Sequence, residues 1–102
     1  MTKYAVMDEV FDIMTAGAFE RLTERQLIDA YFRSSERDAQ IINLFDSEED
    51  AVNGLDKTEL CHTKEINFHQ GLVHIAFVQR VDVADGREIV GEGEILKAKV
   101  GI

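Results

Sequence analysis

Residues 58–102 read TELCHTKEINFHQGLVHIAFVQRVDVADGREIVGEGEILKAKVGI, and their apolar side chains mostly alternate with polar ones. A period of two marks a strand with one buried face. Gln70-Gly71 and Asp85-Gly86 interrupt the alternation, and such dipeptides signal tight turns. The stretch is expected to fold back twice, as a three-stranded meander over about 58–69, 72–84 and 87–101. A two-residue turn at Gln70-Gly71 sets Phe68 opposite Val73 and Ile66 opposite Ile75. A type I′ turn at Asp85-Gly86 sets Ala84 opposite Arg87, Val81 opposite Val90, Ile75 opposite Leu96 and Val73 opposite Ala98.

Both registers gather one face: Ile66, Phe68, Val73, Ile75, Phe77, Val81, Val83, Val90, Leu96, Ala98 and Val100. Phe68, Ile75 and Leu96 are therefore predicted to meet in one core. The opposite face carries Leu72, His74, Ala76, Val78 and Ile95 beside Arg80, Lys97 and Lys99. That is more apolar than a solvated sheet face should be. Something is expected to cover part of it: the N-terminal strand, a helix, or a second copy of the chain in a two-fold dimer.

Up to about Lys57 the apolar period is mostly helical. Tyr4-Ala5-Val6-Met7 reads as a short strand. Residues 8–16 read two ways. Asp8 can cap a helix that buries Val10, Phe11 and Met14 and ends at Gly17. Equally, Phe11, Ile13 and Thr15 can alternate on a strand. The helix is preferred, because Asp8-Glu9 is a poor hairpin turn. Thr23-Glu24-Arg25-Gln26 is a capping box, and the helix it opens should bury Leu27, Ile28, Tyr31 and Phe32. Gln40 to Phe45 reads as a strand. Ser47 with Asp50 caps a short helix that buries Ala51, Val52 and Leu55 and ends near Leu55 or Asp56, where Asn53-Gly54 weakens it.

The expected fold is one α+β domain over residues 1–102: a mixed or antiparallel sheet ending in the meander, with two or three helices on one face. A length of 102 residues and an apolar share of 45% suit a single core. The chain has no run of about 18 apolar residues that would span a bilayer. Its first residues lack the apolar core of a signal peptide, and a single Cys61 leaves no internal disulfide, so a cytoplasmic location is the expectation.

The formal charge is −9, from 20 acids against 11 bases. Such a field repels nucleic acid and anionic lipid and favours a protein partner with a basic surface. The densest acidic run is Asp46, Glu48, Glu49 and Asp50, where acids also offset the positive end of a helix dipole. Asp82, Asp85 and Glu88 form a second group around the Asp85-Gly86 turn. Glu48, Glu49, Asp50, Asp82, Asp85 and Glu88 are the candidate binding residues.

Cys61, His62, His69 and His74 are all of the cysteine and histidine in the chain. Their spacing matches no structural zinc pattern, so scattered imidazoles and one thiol are the simpler reading, with no metal expected. Cys61 and His62, if adjacent on a strand, point to opposite faces, which argues against an activated pair. Glu92 and Glu94 fall on the expected core face, where a carboxylate is costly. The Gly91-Glu92-Gly93-Glu94 run suggests a bulge that turns them to solvent. The alternative gathers Glu92, Glu94 and His62 or His74 in a pocket between helices and sheet, as a small enzyme or ligand-binding domain. No phosphate loop, nucleophile elbow, zinc-protease or EF-hand motif is present, so no catalytic residue and no cofactor are assigned. The reading is a non-enzymatic acidic binding or regulatory module, such as an inhibitor that presents carboxylates to a basic site. In size and charge alone it is similar to small acidic proteins of phages and mobile elements.

Overall fold

The computed structural model describes residues 1–14, 23–61, 71–85 and 88–101. In chain order the elements are β1 (Thr2–Asp12), α1 (Glu24–Arg33), β2 (Gln40–Phe45), α2 (Glu48–Lys57), β3 (Leu72–Val83) and β4 (Ile89–Val100). The fold is α+β. The four strands form one antiparallel sheet in the order β2-β1-β3-β4.

The pairing of β3 corrects the expected meander. Ile75 lies between Glu9 of β1 and Val100 of β4, so both of its edges are taken. The neighbour expected from residues 58–69 is thus β1, an 11-residue strand that runs antiparallel to β3 from Thr2↔Asp82 to Asp12↔Leu72. Thr58 to Cys61 are not strand, and Ile66 and Phe68 lie outside the described residues.

The preferred helix over 8–16 is also corrected: Asp8 to Asp12 continue β1. Ala5, Met7, Phe11 and Ile13 alternate inward as a strand requires. Glu9 occupies the inward position between Met7 and Phe11, and this acid hid the period. Its carboxylate is satisfied: Oε1 accepts from the Tyr31 hydroxyl at 2.7 Å and from the Asp38 N–H at 2.8 Å.

Both helix starts follow their caps. The Thr23 hydroxyl accepts from Gln26 N–H while the Gln26 side chain accepts from Thr23 N–H, closing the capping box. The Ser47 hydroxyl accepts from Asp50 N–H. α2 continues past the expected stop to Lys57. Gly54 has a packing reason, because a Cβ there would lie 2.7 Å from the Phe45 ring.

The two helices cover opposite faces of the sheet, which corrects their expected placement on one. On one face, Leu27 and Tyr31 of α1 pack with Met7, Phe11, Val73, Ile75, Phe77 and Val81. Tyr31 is fully buried, with the Phe11 ring 4.9 Å away edge-on and the Phe32 ring 5.0 Å away. On the other face, Ala51 and Leu55 of α2 pack with Val6, Ala76 and Val78. α2 is therefore the cover that the apolar second face called for.

β4 drifts out of the expected register through three irregularities along β3, so Ile75 faces Val100 and not Leu96. Each shift leaves extra β4 residues unpaired. Leu96 is one, and it turns to the α2 face while Ile95 takes its place beside the α1 core. Val90 is another, and it is 64% exposed while Ile89 packs inward. Ile75 and Leu96 thus lie on opposite faces, and Val90 leaves the core. Gly93 permits the middle bulge, because a Cβ would meet the Arg80 carbonyl oxygen at 2.9 Å. The proposed escape of the acids is observed: Glu92 and Glu94 are both exposed.

These placements separate two residues that the sequence pattern treats alike. Ile75→Ala should cost about 2–5 kcal/mol in urea denaturation, as core truncations do. Val90→Ala should stay within about 0.5 kcal/mol of the parent.

Candidate functional site

The antiparallel register fixes which acids share an end of the molecule. Tyr4 pairs with Phe45, and Thr2 pairs with Asp82. The end of β2 that leads into α2 and the β3–β4 turn therefore lie on either side of the start of β1. Glu48, Glu49 and Asp50 occupy the first turn of α2 there, and Asp82, Asp85 and Glu88 sit at the turn. Two groups some thirty positions apart in sequence are brought to one end. All six are exposed.

The pairing of charges divides the acids into two sets. Lys3 binds Asp46, Lys97 binds Asp56 at 2.8 Å, and Arg80 binds Glu94 at 2.9 Å. The hydrogen bond from Lys3, with its charge, holds the Asp46 carboxyl below the usual carboxylate range, and Lys97 does the same for Asp56. Among the described residues, none of Glu48, Glu49, Asp50, Asp82, Asp85 and Glu88 has an ion-pair partner. The nearest contact is neutral: the Thr2 hydroxyl donates to Asp82 Oδ1 at 3.4 Å. Among the described residues, Lys3 and Arg80 are engaged by other acids and the Met1 ammonium donates to the Val83 carbonyl, so these six carboxylates leave a negative field at this end.

His74 does not join Glu92 and Glu94. It pairs with Val10 across β1, whereas Glu92 pairs with Val81. Seven positions of β3 separate these pairs, roughly 23 Å at 3.3 Å per residue. The His74 ring is buried, and both of its nitrogens are engaged. Nδ1 accepts the Cys61 N–H at 2.9 Å, so the ring proton sits on Nε2 and goes to Asp8 Oδ2 at 2.8 Å. The imidazole ties the segment after α2 to β3 and β1. Cys61 is an exposed free thiol. Among the described residues, no three of His, Cys, Asp and Glu converge as metal ligands. His62 and His69 lie outside the described residues.

Sequence reasoning missed one polar arrangement. A cleft of about 230 Å³ lies beside α1 and its following connector, lined by Tyr31, Arg37, Asp38, Phe77, Gln79 and Glu92. The Arg37 guanidinium sits 5.3 Å from the Phe32 ring centre and 5.7 Å from that of Tyr31. Gln79 is buried, and its amide donates to the Gly93 carbonyl at 3.0 Å. Of the expected pocket residues that are described, Glu92 borders this cleft and Glu94 and His74 do not. The signal available in the sequence was Gln79 on the otherwise apolar face of Val73, Ile75, Phe77, Val81 and Val83.

No protein-family model, curated protein or solved structure matches this chain. No helix of the described residues is long and apolar enough to cross a membrane.

The Tyr31–Glu9 bond has a pH signature. Burial first, and then the hydrogen bond to Glu9, push the Tyr31 phenol above its ordinary range. A phenol whose folded pKa is raised contributes stability that is present below the unfolded value of about 10 and lost as pH rises beyond it. Tyr31→Phe should cost about 1–3 kcal/mol at pH 7, since it leaves Glu9 short of a donor. Denaturation series at pH 7 and above 10 should show the gap between parent and variant narrowing at the higher pH.

Proposed function

We propose that the protein is a non-enzymatic acidic binding module that engages a basic surface on another protein. The observation that supports this most is the set of six exposed carboxylates at one end with no cation partner among the described residues. The chain uses Lys3, Arg80, Lys97 and Lys99 elsewhere: three bind acids, and Lys99 donates to the Thr58 carbonyl. Carboxylates left unpaired in this way favour a cationic partner and speed its encounter. Acids held on a helix start and a strand turn also keep fixed spacings. That suits a regulator or inhibitor occupying a site that otherwise takes phosphates. The charge disfavours direct binding of nucleic acid. A cytoplasmic setting and an origin in a mobile element belong to the same reading and rest on composition.

A second reading is a small ligand-binding domain or enzyme. The cleft holding Arg37, Gln79 and Glu92 favours it, because a guanidinium, a carboxamide and a carboxylate converge on one recess.

Affinity capture from the source cell separates the readings. The parent should retain a basic protein at about 0.1 M salt and lose it near 0.5 M, where the Debye length falls to a few ångströms. Two triple variants, Glu48→Lys with Glu49→Lys and Asp50→Lys, and Asp82→Lys with Asp85→Lys and Glu88→Lys, should each cut retention at least tenfold. Undiminished capture by both folded variants contradicts the module. A large thermal shift with a metabolite and no protein partner supports the cleft instead.

A further inference from the structure

We infer that β2 is a self-association edge, through which two copies pair antiparallel to make one continuous eight-stranded sheet. This edge reaches the acidic end at Phe45 but includes none of its six carboxylates, and the inference does not rest on the proposed function. β2 is an outer strand of the sheet, and its far edge has no partner among the described residues. Its sequence is QIINLF, with no charged side chain and no proline. β1, β3 and β4 each carry charged residues, in a chain that is 30% charged. Ile41 and Ile42 are 40% and 47% exposed on it. Edge strands are normally protected by charges, prolines or bulges that twist them away. The opposite edge, β4, is protected in this manner by its register shifts and by Glu92, Glu94, Lys97 and Lys99. β2 has a single register shift, against β1, and its Leu44 N–H is held by the Asn43 side chain at 2.9 Å, but it carries apolar side chains and no charge.

The occupant is a second copy because the strand is complementary to itself. A two-fold register pairs Gln40 with Phe45, Ile41 with Leu44, and Ile42 with Asn43 of the other copy. Opposed residues then belong to the same face of the sheet. Ile41 lies across from the inward Met7, and Leu44 packs on that same core. Gln40 lies across from Asp8, and Phe45 packs on the α2 face with Val6. These parities coincide only because β2 is shifted by one residue between its pairings with Val6 and Met7. No like charges meet along the strand, so a chain of charge −9 meets itself there at least electrostatic cost. Asp38 and the Lys3–Asp46 pair flank the strand, and the net charge of −9 on each copy opposes the contact until salt screens it. The interface is short and falls in the small class, under about 1,200 Å² in total, which corresponds to weak, reversible dimers.

Sedimentation velocity over a concentration series in about 0.05 M and 0.5 M salt tests this. A monomer–dimer equilibrium is expected, tighter at the higher salt, which is opposite to the salt response of a basic partner. Ile42→Lys should shift it to monomer while far-UV circular dichroism stays that of the parent. Val90→Lys, on the other edge, should leave it unchanged. A parent that is monomeric at millimolar concentration in both salts overturns the inference. So does a dimer that survives Ile42→Lys, or association that continues beyond two copies.

Discussion

β3 buries both of its faces, and the rest of the fold answers that constraint. From Val73 to Gln79 every residue is buried, seven in succession. Val73, Ile75 and Phe77 point one way, and His74, Ala76 and Val78 point the other. A single layer of helices leaves one of these faces wet, so the chain places α1 on one side and α2 on the other. Each strand edge must also be paired, and β1 and β4 do this. β1 is drawn into the centre of the sheet because β3 needs a long neighbour there.

The polar groups that enter this interior are tied down one by one. Glu9 accepts from Tyr31 and from the Asp38 backbone, which fixes α1 and its following connector against β1. His74 accepts from Cys61 and donates to Asp8, which fixes the segment after α2 against the sheet. Gln79 donates to Gly93 at the bulge of β4. In each case an inward polar side chain joins elements that are distant in sequence. The described residues contain no buried side-chain nitrogen or oxygen without a partner. Such groups are costly when unpaired and specify geometry when paired.

Local chemistry was legible in the sequence, and the long-range pairing was not. The caps at Thr23 and Ser47 set both helix starts, and the run of β-favouring side chains in QIINLF, stopped by Asp46-Ser47, gave β2 its bounds. The glycines around Glu92 announced the bulge. The partner of β3 was misread because two adjacent turn signals made a local meander look self-consistent, and nothing in a hairpin pattern reveals a remote strand. Glu9 in an inward position broke the period that marks β1. Leu96 and Val90 were assigned to the core by parity, and parity reverses at each bulge. Of the candidate site, the acids were legible as runs of charge. Their meeting at one end depends on the β1 pairings that the sequence did not reveal.

The separation of roles follows from this arrangement. The interior is closed by apolar contact on two faces, Lys3, Arg80 and Lys97 each hold a particular acid, and six carboxylates without an ion pair among the described residues collect where the strands begin and turn. Cross-strand nuclear Overhauser effects on the labelled protein test the pairing beneath the whole account. The structure predicts contacts linking Met7 with Phe77 and Phe11 with Val73. Contacts linking Ile75 with Ile66 in place of Glu9 would contradict it, and would dissolve the acidic end along with the central position of β1.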